Sequence, residues 1–322
     1  MHRLWQLPLL ACLSAASASA QTVPYPSHPV KLIVGFAAGG PSDLVARAFA
    51  DHATKPLGQP VIVENKPGAN AVLATEAVAA SKPDGLTLLA AATNHTMIPA
   101  LYGARIKFDA AKSFVPVCTL ASSATVLVIG PSLPVKTVAE FIERAQAKPD
   151  SMTYATPGQG SSPHLATEQF RKLAGVGMVH VPYKGAAPAV TDLLGGQVDL
   201  SFATVGSVLP HIKSGKLKAL AVASRQRSAL LPDVPTFDEA GVKGFVIDTW
   251  YGLLAPAGTP ADALRALTRE ANDFVRSAAT RERLAGAGLE PGGLCGEPFA
   301  AQIGREIDAN ARIARELNLK VE

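Results

Sequence analysis

The chain of 322 residues is 48% hydrophobic and 17% charged, a globular composition with enough length for two lobes. Its 30 basic and 26 acidic residues give a net charge of +4, and they form no basic run or aromatic-basic cluster of the kind that binds nucleic acid. The longest apolar run, residues 4–16, is too short to cross a membrane.

The first twenty residues have the pattern of an export signal. Arg3 gives a basic start, residues 4–16 form an apolar core, and residues 18–20 are small, as a signal peptidase requires. Residues 9–12 also resemble a lipoprotein processing site, but they lie too early in the apolar run. We therefore expect cleavage after Ala20 and a mature protein located in the periplasm.

The first element of the mature chain predicts a strand, a glycine turn and a helix. Residues 30–34 are apolar and indicate a buried strand, and 39–41 (Gly-Gly-Pro) suit a tight turn. Ser42 or Asp43 is expected to cap the helix. The helix would carry on one face Leu44, Val45, Ala48 and Phe49. Free N–H groups at such a helix start can bind a carboxylate or phosphate, although an ordinary β–α connection has the same pattern.

Strands and helices continue to alternate along the first half of the chain. Residues 60–64 and 86–91 read as strands and residues 70–80 as an alanine-rich helix, and a polar junction follows at 93–96. This alternation favours a parallel sheet covered by helices on both faces.

The second half repeats the opening pattern. Residues 118–129 predict a strand that crosses between lobes, and the strand 151–155 leads into a second glycine-rich loop, 156–163. A third polar strand end lies at 203–206, and the turn-rich residues 224–246 are expected to lead back to the first lobe. We assign residues 21–122 and 249–322 to lobe 1 and residues 123–248 to lobe 2. Strand carboxyl ends facing the cleft would form the ligand site.

Enzyme motifs do not match this sequence. Ser161 and His164 lie three residues apart at a helix start, but the segment is not the Gly-x-Ser-x-Gly elbow of a hydrolase, and a helix cap explains Ser161. Dinucleotide, P-loop and metal-ligand patterns are also missing from the sequence. We expect no catalytic residues, no cofactor and no metal, and keep an exported hydrolase using Ser161 and His164 as the alternative.

Several single residues leave two interpretations open. His164 and His180 are either structural, hydrogen-bonded histidines or ligand contacts. Lys184 follows a strand and either supplies a cation to the cleft or lies exposed in a turn. Cys118 and Cys295, the two cysteines of the mature chain, either form a disulfide or remain separate thiols.

Six segments in chain order carry a family resemblance, and these are 31–47, 63–69, 82–89, 154–165, 180–185 and 256–260. Together they resemble the Bug family, the extracytoplasmic solute receptors of tripartite tricarboxylate transporters. The resemblance covers the chain from about residue 25 to its end. Two positions depart from the family pattern, since Gly35 stands where Pro is usual and Leu86 where Tyr is usual. The first departure is expected to loosen the loop and the second to change packing.

The resemblance implies an α/β fold, the type II periplasmic binding-protein fold, whose two lobes are joined by crossing strands around a ligand cleft. It implies a monomeric receptor that captures a small organic carboxylate and delivers it to a membrane permease, without nucleic acid as a partner. A receptor-fold protein that signals to a partner is the remaining alternative. With Lys184 added, the expected ligand-binding residues are Phe36, Ala38, Gly39, Gly40, Ser42, Asp43, Asn94, Thr156, Gly158, Gly160, Ser161, His164, Lys184 and Thr204. Asp43 either complements the helix dipole or selects an amino group on the ligand.

Overall fold

The computed structural model describes residues 25–317 and residue 319. Its strands are β1 (Val30–Val34), β2 (Val61–Asn65), β3 (Thr87–Ala92), β4 (Phe114–Ile129), β5 (Thr153–Thr156), β6 (Val179–Pro182), β7 (Leu200–Thr204), β8 (Lys218–Val222), β9 (Asp248–Pro256) and β10 (Glu290–Pro291). Its α-helices are α1 (Pro41–Leu57), α2 (Val72–Ala79), α3 (Ile98–Tyr102), α4 (Val138–Ala147), α5 (Ser162–Ala174), α6 (Ala186–Leu194), α7 (Val205–Lys213), α8 (Ala261–Arg276), α9 (Ala278–Gly286) and α10 (Glu297–Glu316). The predicted export signal, residues 1–20, lies outside the described part of the chain.

One continuous sheet runs through the molecule in the order β2-β1-β3-β9-β4-β7-β5-β6. Strands β1, β2 and β3 are parallel to one another, as are β5, β6 and β7. The 16-residue β4 pairs antiparallel with β9 from Phe114 to Ala124, and with β7 from Thr125 to Ile129. Strands β4 and β9 therefore carry the chain between two α/β units, in agreement with the predicted fold class.

Each unit has its own hydrophobic core. Phe49 of α1 packs with Leu32, Leu88 and Phe274 on one side of the molecule. A separate cluster on the other side contains five phenylalanines, which are Phe141, Phe170, Phe202, Phe237 and Phe245. The near-continuous burial of β1 and β7 follows from their coverage by helices on both faces, whereas the edge strands β2 and β6 are more exposed. Because each unit has buried clusters of its own, the units can act as two lobes around a cleft.

The structure differs from the predicted elements at several places. Helix α1 begins at Pro41, with Gly40 as its N-cap, so neither Ser42 nor Asp43 caps it. Leu44 is 39% exposed rather than buried with its predicted neighbours. Residues 224–246 stay with the second lobe, because Phe237 and Phe245 belong to its core. Strand β9 makes the return crossing instead.

A disulfide joins Cys118 of β4 to Cys295, just before α10, with 4.0 Å between the Cα atoms. This pairing decides between the two interpretations that the sequence left open. The bond closes a sequence separation of 177 residues and attaches the start of the last helix to the crossing strand. Within the described residues, no helix has the length and apolar character needed to cross a membrane.

Candidate functional site

The first-lobe loop connects β1 to α1 and is braced by Asp43. Gly39 has a φ of 85°, and its N–H donates to Asp43 Oδ2 at 3.0 Å. Arg47 Nε donates to the same oxygen at 3.0 Å, and Asn65 Nδ2 donates to Oδ1 at 2.9 Å. Burial alone would raise the pKa of the Asp43 carboxyl, but the hydrogen bonds from Arg47, Gly39 and Asn65 outweigh it and hold the pKa below its ordinary value.

Asn65 extends this brace to the tip of the loop. Its Nδ2 also donates to the carbonyl oxygen of Phe36 at 3.0 Å, and its Oδ1 accepts from Arg47 Nη2 at 3.0 Å. Asp43 is only 3% exposed and has partners on both carboxylate oxygens. The structure therefore assigns Asp43 to the support of the loop, behind the residues that face the cleft.

The second-lobe loop connects β5 to α5 and has the predicted cap. Gly158 and Gly160 have φ values of 146° and 79°, which glycine adopts readily. Ser161 is the N-cap of α5, and its Oγ accepts from the backbone N–H of His164 at 3.4 Å. His164 Nδ1 in turn accepts from the N–H of Gly160 at 3.1 Å. Both side chains thus bind the loop backbone, which is the helix-cap role predicted for Ser161 and one of the two interpretations left open for His164.

Three aromatic rings stack on one another beside this loop. His164 and His180 have ring centroids 4.3 Å apart, and His180 stacks on Tyr154 at 4.8 Å. His180 Nε2 is hydrogen-bonded to Thr156 Oγ1 at 2.7 Å. Burial lowers the pKa of His164 to about 4, and burial together with the neighbouring His164 and Arg171 lowers that of His180 to about 3. Both histidines are therefore neutral at physiological pH.

Two further helices of the second lobe, α6 and α7, begin shortly after strands β6 and β7. Helix α6 begins at Ala186, directly after Gly185, and α7 begins after Thr204, the last residue of β7. The Thr204 hydroxyl lies 3.2 Å from Ser207 Oγ. Burial raises the pKa of the Tyr251 phenol, and the hydrogen bond from Thr204 opposes this shift. Thr204 therefore links α7 to Tyr251 of the crossing strand.

The loops enclose a cavity of ≈ 50 Å³ between the lobes. Its lining residues are Phe36, Gly40, Pro41, Ser42, Ala92, Asn94, Pro157, Ser161, Ser162, Pro163, Ala186, Thr204, Thr249 and Tyr251. All of these are uncharged, and they include the first residues of α1, α5 and α6 and the N-cap of α7. The first N–H groups of a helix have no partner within that helix, and its dipole is positive at that end. The cavity therefore attracts an anion without using a cationic side chain.

The lobes touch directly around this cavity. The N–H of Ala37 in the first lobe donates to the carbonyl oxygen of Lys184 in the second at 3.1 Å. Thr249 Oγ1 donates to Ser162 Oγ at 2.9 Å. The cavity is thus closed on two sides by hydrogen bonds between the lobes.

The predicted site residues fall into three groups. Those in the cavity wall are Phe36, Gly40, Ser42, Asn94, Ser161 and Thr204. Those that are buried behind the wall are Asp43, Thr156, Gly158, Gly160 and His164. Those that are exposed are Ala38, Gly39 and Lys184, so the turn interpretation of the Lys184 side chain agrees with the structure.

Sequence reasoning did not single out the remaining wall residues. Pro41, Pro157, Ser162 and Pro163 lie within the predicted loops, although none of them was among the expected ligand-binding residues. Ala92, Ala186, Thr249 and Tyr251 carry no local motif, because they reach the cavity only through the pairing of distant strands and the packing of α6.

The arrangement does not provide the parts of a hydrolase. A nucleophilic Ser161 would need the His164 ring as its base, but His164 Nδ1 accepts from Gly160 and the Ser161 hydroxyl accepts from the His164 backbone. Within the described chain, no group of three or more His, Cys, Asp or Glu side chains could hold a metal ion.

Comparison with known proteins gives a consistent family. Residues 45–319 match the family described as tripartite tricarboxylate transporter family receptor. Protein BugT of Bordetella pertussis is 37% identical over 309 residues, covering 96% of this chain and 94% of BugT. Among solved structures, R. palustris Rpa4515 with adipate has a TM-score of 0.89 at 31% identity, covering 92% of this chain and all of that one. MatC (Rpa3494) from Rhodopseudomonas palustris, with bound malate, has a TM-score of 0.84 at 32% identity, covering 90% and 99%.

Proposed function

This chain belongs to the tripartite tricarboxylate transporter receptor family, and from that membership we propose that it is a periplasmic receptor that holds a small organic carboxylate between its lobes. As a member of a receptor family it is not an enzyme. The observation that carries the proposal is the meeting of four helix N-termini at one cavity whose lining side chains are uncharged. A carboxylate that is partly removed from water gains up to about 2 kcal/mol from one such helix end.

The lining supports a short aliphatic ligand with an acidic group. Ser42, Ser161 and Ser162 line the cavity at the starts of α1 and α5. Phe36 and Pro157 offer apolar surface beside them. Because one water needs roughly 10–15 Å³, a volume of ≈ 50 Å³ matches a few waters or a small acid.

Ligand binding would favour the closed arrangement of the lobes. The cavity wall draws on both lobes, so a ligand makes its full set of contacts only when the lobes meet. The bond from Ala37 to Lys184 belongs to the same closed state. Two related solved structures, Rpa4515 with adipate and MatC with bound malate, support a carboxylate as the ligand class.

We further propose that the bound acid is delivered to the membrane permease of a tripartite transporter, as the family description implies. Export through cleavage after Ala20 and action as a monomer belong to the same proposal. Uptake of the acid into vesicles that carry such a permease, measured with and without the purified receptor, tests the delivery step. Uptake that is independent of the receptor would argue for signalling instead.

A melting-temperature screen tests the binding proposal. The protein is unfolded with its disulfide kept oxidised and refolded, so that any retained ligand is lost, and it is then mixed with aliphatic, amino-acid and aromatic carboxylates. A ligand at 100 times its Kd adds about 2.7 kcal/mol to the free energy of unfolding, which raises the melting temperature of a chain of this size by roughly 4 °C. Uncharged alcohols of the same length serve as controls. A folded protein that no carboxylate stabilises would contradict the proposal.

A further inference from the structure

Three consecutive non-glycine residues lie in the left-handed region beside the cleft. Ala69, Asn70 and Ala71 have φ values of 47°, 52° and 72°. The sequence predicted a helix from residue 70, but α2 begins only at Val72. Left-handed conformations of side-chain-bearing residues are strained and concentrate at functional sites. Asn tolerates this region better than most residues, so the turn holds one amide side chain in a defined place.

The amide of Asn70 is buried and lacks a partner. The residue is 9% exposed, and neither Nδ2 nor Oδ1 makes a hydrogen bond with any residue that the structure describes. A buried amide without partners costs the loss of its bonds to water. Its two N–H donors and its carbonyl acceptor are therefore left unsatisfied among the described residues.

Asn70 lies where the two lobes meet, next to the wall of the cavity. A methyl group built on Gly160 of the second lobe would lie only 2.9 Å from Asn70 Nδ2. The carbonyl oxygen of Asn70 accepts from Asn94 Nδ2 at 2.8 Å. Asn94 and Ser161, the neighbours of Asn70 and Gly160, both line the cavity. The unpaired amide thus lies behind the cavity wall, against Gly160 of the second lobe, while the Asn70 backbone holds the wall residue Asn94 of the first.

Building on the proposed function, we propose that Asn70 is a specificity-determining residue whose side-chain amide binds a second polar group of the bound carboxylic acid. The helix N-termini supply N–H donors for the first carboxylate. The Asn70 amide offers both donors and an acceptor at the seam between the lobes, so it distinguishes an acid with a second polar group from one that ends in a methyl group.

The test uses pairs of acids that differ only in the second polar group, which are hexanoate and adipate, butanoate and succinate, and succinate and malate. Calorimetry measures each Kd for the wild type, Asn70→Gly and Asn70→Asp. Glycine accepts a φ of 52° without strain, and aspartate keeps the shape of asparagine, so both variants are expected to fold. Ala69→Gly relieves the neighbouring left-handed residue without removing an amide and serves as the control.

We expect the wild type to prefer the more polar member of at least one pair by tenfold or more. Asn70→Gly should lower that preference at least tenfold while changing the Kd of the less polar member less than twofold, and Ala69→Gly should keep the preference. Asn70→Asp should weaken binding further if the second group is a carboxylate, and retain binding if it is a hydrogen-bond donor. Both results support the assignment.

Two results would overturn the inference while leaving the proposed function intact. The first is a wild type that binds both members of every pair equally. The second is an Asn70→Gly protein that keeps the wild-type preference within twofold, which would assign the amide to an ordered structural water. A wild type that binds no carboxylate in the screen would instead contradict the proposed function, and the inference with it.

Discussion

The methyl group of Ala71 occupies the space that a side chain at position 35 would need. A Cβ built on Gly35 would lie 2.1 Å from Ala71 Cβ and 2.8 Å from Ala71 Cα, both far inside van der Waals contact. The sequence had suggested that Gly35, in place of the family's usual proline, would loosen the first loop. The structure shows close packing there, because the left-handed turn at 69–71 brings Ala71 against the loop backbone.

This contact predicts that Gly35→Ala destabilises the protein and that Ala71→Gly restores it. The added methyl would overpack the site, which typically costs about 1–3 kcal/mol. Ala71 has a φ of 72°, so glycine there is compatible with the backbone and frees the space. Urea unfolding of the wild type, both single variants and the double variant gives the coupling energy. Additive effects of the two substitutions would show that the residues do not share this space.

We expect a substitution at Gly160 to impair closure of the lobes. Its φ is 79°, and a Cβ there would lie 2.0 Å from Leu101 Cδ1 in the first lobe. Gly160→Ala should therefore raise the Kd for the bound carboxylate more than tenfold, as measured by calorimetry. Gly175→Ala is the matched control, since Gly175 has a φ of 62° but open space around it. Gly160→Ala should lose more stability than Gly175→Ala, because only its added methyl meets a neighbouring side chain, and equal ligand affinity in both would contradict the closure argument.

We expect the stability that the Asp43 carboxylate contributes to the first-lobe loop to be lost at low pH. Asp43→Asn removes the charge from hydrogen bonds with Arg47, Gly39 and Asn65, and should lower the free energy of unfolding at pH 7 by about 1–3 kcal/mol. The pKa of the Asp43 carboxyl is lower in the folded protein than in the unfolded chain, where it is about 4. Its contribution to the stability of the wild type is therefore fully present above that unfolded pKa and is lost as the pH falls below it. The variant should lack this loss.

Urea titrations at pH 7 and pH 3 measure the effect of Asp43. Asp51→Asn is the control, because Asp51 pairs with Arg283 at 2.9 Å on an exposed surface and should contribute less than 1 kcal/mol. A pH dependence that is the same in both variants would show that Asp43 is not a brace.

We expect protonation of His164 to cause a second loss of stability on acidification, which begins at a higher pH than the loss from Asp43. Its pKa is about 4 in the folded protein against 6.5 ordinarily, so the unfolded chain binds the extra proton between these values. Stability is complete above pH 6.5 and falls as the pH approaches 4, by about 3 kcal/mol in total. Protonation at Nδ1 also removes the acceptor for the Gly160 N–H.

The variant His164→Asn tests this titration, because Asn Oδ1 can accept a hydrogen bond from the Gly160 N–H and does not titrate. Unfolding free energies are measured from pH 7.5 to pH 4 for the wild type and the variant. The slope between pH 6.5 and pH 4 should be smaller in the variant, with a remainder from His180, whose pKa is lowered in the same direction. Identical slopes would contradict the assignment.

Local patterns were sufficient to predict much of the fold and part of the site. The strand–loop–helix units at β1–α1 and β5–α5 follow from apolar runs, glycine turns and the cap at Ser161, all of which depend on residues close in sequence. Phe36, Gly40, Ser42 and Ser161 lie in these loops and in the cavity wall, but it was the family resemblance that predicted them as ligand contacts.

Contacts between distant segments could not be predicted in the same way. Thr249 and Tyr251 reach the cavity because β9 pairs with β3 and β4. The alanine-rich segment at 69–71 has helical composition, yet it adopts a left-handed turn, in which Ala71 fills the space left by Gly35. Tertiary packing overrides helix propensity there.

Calorimetric titration of the ligand-free protein with the best carboxylate from the screen, and with the primary amide of the same acid, tests the central claim most directly. The amide keeps the shape of the acid but removes its negative charge, which is what the four helix N-termini would recognise. We predict one carboxylate bound per chain and an affinity for the amide that is at least tenfold weaker. Equal affinity for acid and amide would contradict recognition of an anion by this cavity.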